Sequence, residues 1–189
     1  MLRRLYRLYI CFLAMVLCGC AGRKDQMEQA MKFRTALLNA NGCGFRIQAT
    51  ADFSDRTYSF EMECETDREG NLQFSVLEPE YISGISGTIQ YDGGNIIFDD
   101  VVFGFPLQNE GYLAPVVGPW VMVRALRSGY IRYSGIEEGL LRITVDDSYE
   151  EDALTLDIWF NKDGVPIQTD VFKNHRRILS FRVEDFRLL

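Results

Sequence analysis

From position 44 onward the chain alternates apolar and polar residues with a period of two. Phe45, Ile47, Ala49, Ala51 and Phe53 alternate with Arg46, Gln48, Thr50 and Asp52. After a turn at Ser54-Asp55, Tyr58, Phe60, Met62 and Cys64 alternate with Thr57, Ser59, Glu61 and Glu63. Such alternation marks strands with one buried face, and the short turn predicts an antiparallel hairpin. Cys43 lies in phase with Phe45 and Cys64 with Phe60, so both thiols point to the apolar face at the open end of that hairpin. More strands follow at hairpin spacing. Leu72, Phe74 and Val76 share a face, and residues 87–91 and 96–103 flank the turn Asp92-Gly93-Gly94-Asn95. Later strands are predicted over 130–134, 140–146, 153–160, 165–172 and 177–186, with turns at Asn161-Lys162-Asp163-Gly164 and Lys173-Asn174-His175. The pattern predicts nine or ten strands.

Two segments break this period. Over residues 26–40, Met27, Ala30, Met31, Leu37 and Leu38 recur at spacings of three, four and seven, which predicts an amphipathic helix stopped by Asn41-Gly42. Residues 104–129 contain Pro106, Pro115 and Pro119, followed by a helix-compatible run, 120–128, that ends at Gly129. Proline at a helix start and glycine at its stop fit the usual asymmetry. A short helix inserted midway through an antiparallel sheet is expected on its concave face. The expected fold class is therefore α+β, mainly β, with one strongly curved, unclosed antiparallel sheet and two helices.

The first twenty residues have a different logic. Arg3, Arg4 and Arg7 precede an apolar run from Leu8 to Val16, which leads to Leu17-Cys18-Gly19-Cys20. A basic start, an apolar core and small residues before a cut site make a secretory signal, and the run is shorter than the ~20 residues that span a bilayer. Leu-x-Gly-Cys resembles the lipobox of bacterial lipoproteins, which implies acylation of the Cys20 thiol and removal of residues 1–19. The expected organisation is a signal over 1–19, a lipidated polar tether over 20–25 and a single domain over 26–189. The product would be extracytoplasmic and held at the cell membrane by its acyl chains.

Charge narrows the partners. The chain has 20 Lys+Arg against 27 Asp+Glu, a net of −7. Arg3, Arg4 and Arg7 leave with the signal, so the mature chain carries 17 against 27, or −10. A surface this acidic repels phosphate backbones, which excludes nucleic acid as a partner, and it leaves membrane attachment to the lipid. Three of the five cysteines survive processing. With Cys20 acylated, Cys43 and Cys64 form an even pair in an oxidising setting. Two readings stay open for them, a disulfide or two buried free thiols.

Candidate chemistry is sparse. His175 is the sole histidine and sits in a predicted turn beside Arg176 and Arg177, far from any nucleophile motif. No Cys/His cluster has zinc spacing. The run 146–152 holds five carboxylates, Asp146, Asp147, Glu150, Glu151 and Asp152, without the spacing of a calcium loop, and reads as a solvated turn. No pair among the acids is singled out for glycosidase chemistry. No metal, no cofactor and no catalytic residue is expected.

The amphipathic helix, the long meander and the Pro-Trp insert behind a lipobox resemble the LolA/LolB superfamily. The strings Phe33-Arg34-Thr35-Ala36-Leu37-Leu38, Gly118-Pro119-Trp120, Leu126-Arg127-Ser128-Gly129-Tyr130 and Asp147-Ser148-Tyr149 are similar to clostridial lipoproteins of that kind. The resemblance implies an unclosed half-barrel whose apolar cavity accepts acyl chains, with helices as a lid and no catalytic residues. Phe60, Met62, Phe74, Val76, Trp120, Met122 and Tyr130 are the candidate cavity lining, and filling of the core by the same side chains is the competing reading. The first expectation is a membrane-anchored lipoprotein that binds an acyl chain or other apolar ligand there, as a lipid- or lipoprotein-binding module. The alternative is a scaffold that binds an envelope protein, such as a peptidoglycan amidase in germination-type relatives, or a second copy by strand exchange. Residues 101–107 are unusually apolar and are a candidate lid or partner patch. An empty groove favours the first expectation, and a packed interior with an outer apolar patch favours the second.

Overall fold

The computed structural model describes residues 21–52, 56–109, 112–150 and 153–189. The signal, Cys20, Phe53, the Ser54-Asp55 turn, Glu151 and Asp152 lie outside the described residues. Helix α1 is Ala21–Asn39. Strands β1 to β6 are Cys43–Asp52, Thr57–Thr66, Leu72–Glu78, Ser86–Gln90, Gly93–Phe98 and Val101–Phe105. A minute hairpin, β7 (Gln108–Asn109) and β8 (Tyr112–Leu113), precedes helix α2 (Gly118–Ser128). Strands β9 to β13 follow as Tyr130–Glu137, Leu140–Asp146, Thr155–Phe160, Pro166–Lys173 and Arg176–Leu188.

Eleven strands form one antiparallel sheet in the order β6-β5-β4-β3-β2-β1-β13-β12-β11-β10-β9. The long last strand pairs with the first, so the two halves of the meander meet at mid-sheet, and among the described residues β6 and β9 are its edges. The expected unclosed half-barrel is the fold observed. Its inner face is continuous: Ile47 is flanked by Met62 and Val183, and Ala49 by Phe60 and Phe181. Period-two patterning produces this directly, because a one-residue slip would turn each row outward.

Three expectations need correction. The predicted strand over 96–103 is two strands, broken at Asp99 and Asp100, whose φ angles of 51° and 61° make a tight reversal. Aspartate tolerates the left-handed region better than most residues, so no glycine was needed there. The predicted tether over 20–25 is helical from Ala21. Finally, the buried stripe of α1 is Ala30 and Leu37 with half-buried Phe33, whereas Met31 and Leu38 are exposed.

Helix α2 is the key to the interior. Gly118, Pro119, Trp120, Val121, Met122, Val123, Ala125 and Leu126 are all buried. A helix apolar on nearly every side must itself be enclosed, and the sheet's inner face is the enclosure. At one end Gly118 lies against Leu179 and Phe181 of β13, where a Cβ would overlap the Leu179 side chain. At the other end Gly129 caps the helix against Val145 of β10. Helix α1 packs beside it, with Phe33 5.2 Å from Phe160 and 5.7 Å from Phe186, ring centre to ring centre.

Candidate functional site

The seven candidate cavity residues do not line one open groove. Met62, Phe74, Val76, Trp120 and Met122 belong to the packed core. Half-buried Phe60 borders a separate cleft with Glu78 and Pro79. Tyr130 is 53% exposed and packs its ring 5.9 Å from that of Tyr149. Helix α2 contributes to this, because its own apolar side chains are buried in the same core cluster.

The two cysteines are free and buried. Their parity is as expected but their register is not: Cys43 stands opposite Thr66, and Cys64 opposite Phe45. They are diagonal neighbours, a relation that typically separates Cα atoms by ~7–8 Å, beyond the usual disulfide span of ~4.4–6.8 Å. Of the two readings left open by the sequence, the free thiols are the ones observed. Cys43 Sγ lies 3.2 Å from the Thr66 hydroxyl. Desolvation by burial pushes both thiol pKa values up, for Cys64 far beyond its ordinary range.

The acidic run is not wholly solvated. The Asp147 carboxylate is nearly buried, pairs with Arg124 of α2 and accepts the Leu154 N–H at 2.8 Å. Asp146 accepts from Thr155 and faces Arg132. Among the described residues no cluster of His, Cys, Asp and Glu is arranged to hold a metal ion. His175 sits in the tight β12–β13 turn with a φ of 64°.

Sequence reasoning missed Arg34. Its Nε donates to Leu126 O at 2.7 Å, and its Nη2 donates to Ala125 O at 3.2 Å and Gly129 O at 2.8 Å. These carbonyls lie at the C-terminal end of α2, where a helix leaves acceptors without intrahelical partners, although Ala125 O also accepts the Gly129 N–H, and a cation there complements the helix dipole. Burial lowers the Arg34 pKa, partly countered by Tyr149. The signal was present only as an arginine on the inner side of α1, between Ala30 and Leu37.

Three surface features among the described residues bear on function. The first is an apolar free edge. Val101, Val102 and Phe103 of β6 are 50%, 62% and 56% exposed, and Ile97 and Phe98 of β5 are exposed beside them. Successive strand residues face opposite ways, so both faces of this edge are apolar. The second is a cleft of about 650 Å³ between α1 and the ends of β9 to β13, with Phe33, Leu141, Phe160 and Phe186 in its wall and Lys32 and Lys162 among its lining residues. The third is a cleft of about 340 Å³ beside α2. No helix among the described residues is long and apolar enough to cross a membrane.

No protein-family model and no curated protein matches the chain. It is similar in structure to an outer membrane lipoprotein-sorting protein domain from Vibrio parahaemolyticus, at 8% identity, 88% of this chain, 93% of that chain and a TM-score of 0.48. It is also similar to a LolA superfamily protein from Nitrosomonas europaea, at 6% identity, with 87% and 93% covered and a TM-score of 0.46. A third likeness is to the structure of the CwlD amidase from Clostridioides difficile in complex with the GerS lipoprotein, at 12% identity, with 87% and 96% covered and a TM-score of 0.44. These are likenesses of fold and carry no assignment of ligand or partner.

Proposed function

We propose that the protein is a membrane-anchored lipoprotein of the cell envelope that works by binding, not by catalysis, and that its principal contact is a partner protein paired along β6. The observation that carries this reading is the β5–β6 edge. A free edge offers unpaired backbone N–H and C=O groups, and native proteins blunt such edges with charge, proline or cover. Here Val101, Val102 and Phe103 leave it apolar on both faces. The matching partner presents an extended apolar strand, which adds to the sheet through main-chain hydrogen bonds. Asp99 and Asp100 stand at the β5–β6 turn, and the chain as a whole is acidic, so basic residues flank that strand. The burial of α2 against the sheet favours this reading over an acyl chain held on the concave face.

The test is a photo-crosslinking residue at position 102 in cells. One dominant adduct to an envelope protein is expected, lost in Phe103→Lys and kept in Ile136→Lys on the opposite edge. Both positions are exposed, so neither change disturbs the core. Adducts to lipid alone, or adducts indifferent to Phe103→Lys, refute the reading.

A second reading is favoured by the 650 Å³ cleft, whose size falls within the range of ligand pockets. Its aromatic wall suits an acyl chain, and Lys32 and Lys162 suit an anionic headgroup. Native mass spectrometry of the Cys20→Ser protein decides it. A co-purifying fatty acid or phospholipid lost in Ile136→Glu supports the cleft, and a clean unliganded mass removes it.

A further inference from the structure

We propose that the small cleft beside α2 is a binding site for an anionic saccharide, a sugar ring bearing one carboxylate or phosphate. This site is independent of the β6 edge. Helix α2 has eight buried apolar or small positions and turns just two charged side chains out of the core, Arg124 and Arg127. Both line the cleft, together with Trp120, Tyr91 and Glu69. Two guanidinium groups three residues apart on a helix repel one another. Asp147 neutralises Arg124, but among the described residues no carboxylate makes an ion pair with Arg127. Its Nη2 donates to Arg68 O at 2.8 Å, while its Nη1 and the Arg124 Nε are buried without a hydrogen-bond partner. An uncompensated cation under unpaired N–H donors, in a chain of net charge −7, is a place that attracts an anion. Guanidinium forks match the planar geometry of carboxylate and phosphate oxygens.

The rest of the lining selects what carries the anion. Trp120 is buried with the Arg124 guanidinium 4.7 Å from its ring centre, so its ring backs that arginine and leaves the open aromatic face of the cleft to Tyr91. Tyr91 borders the same cleft yet is 83% exposed, so no packing demand explains a tyrosine there. Aromatic faces bury the apolar side of a sugar ring, and the Glu69 carboxylate accepts hydroxyl groups while disfavouring a second anion. Gly70 beside Arg127 has a φ of 92°, which favours glycine, and a Cβ there would make only ordinary contact with the Arg127 side chain at 3.6 Å. A volume of about 340 Å³ fits one substituted ring, near the lower bound of ~300 Å³ for ligand pockets.

Isothermal titration calorimetry on the detergent-solubilised full chain tests this with four probes: N-acetylmuramic acid, glucose 6-phosphate, N-acetylglucosamine and inorganic phosphate. Saturable binding of at least one anionic sugar is expected, weakened by salt, with the neutral sugar far weaker. The preferred anionic sugar tells carboxylate from phosphate. Arg127→Gln should lower affinity about tenfold, the loss expected for one charge-assisted contact. Tyr91→Ala should weaken binding as well, and its exposure keeps that variant folded should Arg127→Gln unfold. Equal affinity for the neutral sugar, equal affinity for phosphate alone, or no heat with either anionic sugar overturns the proposal.

Discussion

Replacing Arg34 with methionine keeps the stem of the side chain and removes its fork, which isolates the latch between the two helices. The fork makes three hydrogen bonds, to Leu126 O, Ala125 O and Gly129 O. Ala125 O keeps a second partner, the Gly129 N–H at 2.8 Å, so its loss is partial. Leu126 O and Gly129 O lose a charged donor each, and a net hydrogen bond to a charged group is worth ~1.5–3 kcal/mol. Arg34 is half-exposed and one side chain serves all three acceptors, so the lower end applies, about 3 kcal/mol in total. Removing the cation from the end of α2 falls within that figure, since the dipole term alone is ~0.3–1 kcal/mol. A domain of this size loses ~2–4 °C of Tm per kcal/mol, which gives a fall of about 6–12 °C. Thermal melts followed by far-ultraviolet circular dichroism measure it directly. Arg34→Lys retains the charge and one donor direction and should recover about half of the loss. A Tm for Arg34→Met within about 2 °C of the parent refutes the latch, since that is less than one ordinary hydrogen bond.

Gly118→Ala should destabilise by ~1–3 kcal/mol, the usual cost of overpacking, because its Cβ meets the flexible Leu179 side chain. Gly87→Ala should cost more in the same urea titration, because there the obstacle is the Asn95 carbonyl oxygen, which cannot rotate away. Cys43 and Cys64 should be silent to a thiol reagent in the native protein and both react in guanidinium, with no 2 Da deficit by mass spectrometry, as free thiols require. Their raised native pKa values fix a pH dependence. Above the ordinary thiol value of 9.0 the unfolded chain releases thiol protons that the native chain retains, so stability falls as pH rises past 9. Urea midpoints from pH 8 to 10.5 should show that fall, and Cys64→Ala should flatten it.

The sheet was legible because each strand carries its own instruction: alternation in β1 and β2 sets which face is buried, without any distant residue being known. What escaped the reading was relational. The reversal at Asp99-Asp100 sits between two apolar triplets in 96–103, where no glycine or proline punctuates the chain. The inner stripe of α1 was misjudged because its central member is Arg34, whose partners lie more than ninety residues away. Counting apolar residues promotes Met31 and Leu38 into that stripe, and the structure leaves both exposed.

The burial of Trp120 and Met122 has a reason the sequence did contain. Trp120, Val121, Met122, Val123, Ala125 and Leu126 make a helix apolar around almost its whole circumference, interrupted at Arg124. Such a helix cannot be a lid with a wet outer surface; it must be surrounded, and the one concave apolar surface available to it is the sheet. With α2 against the sheet, a surface that packing does not explain is the natural place to look for a partner. Edge strands with apolar side chains on both faces are such a surface, because burial against a core accounts for one face only. The run Val101-Val102-Phe103 breaks the alternation that β1 and β2 keep, and it does so at the edge of the sheet, where the second apolar face has no core to meet. The exception to the folding pattern is therefore the part of the chain whose apolarity is left for binding.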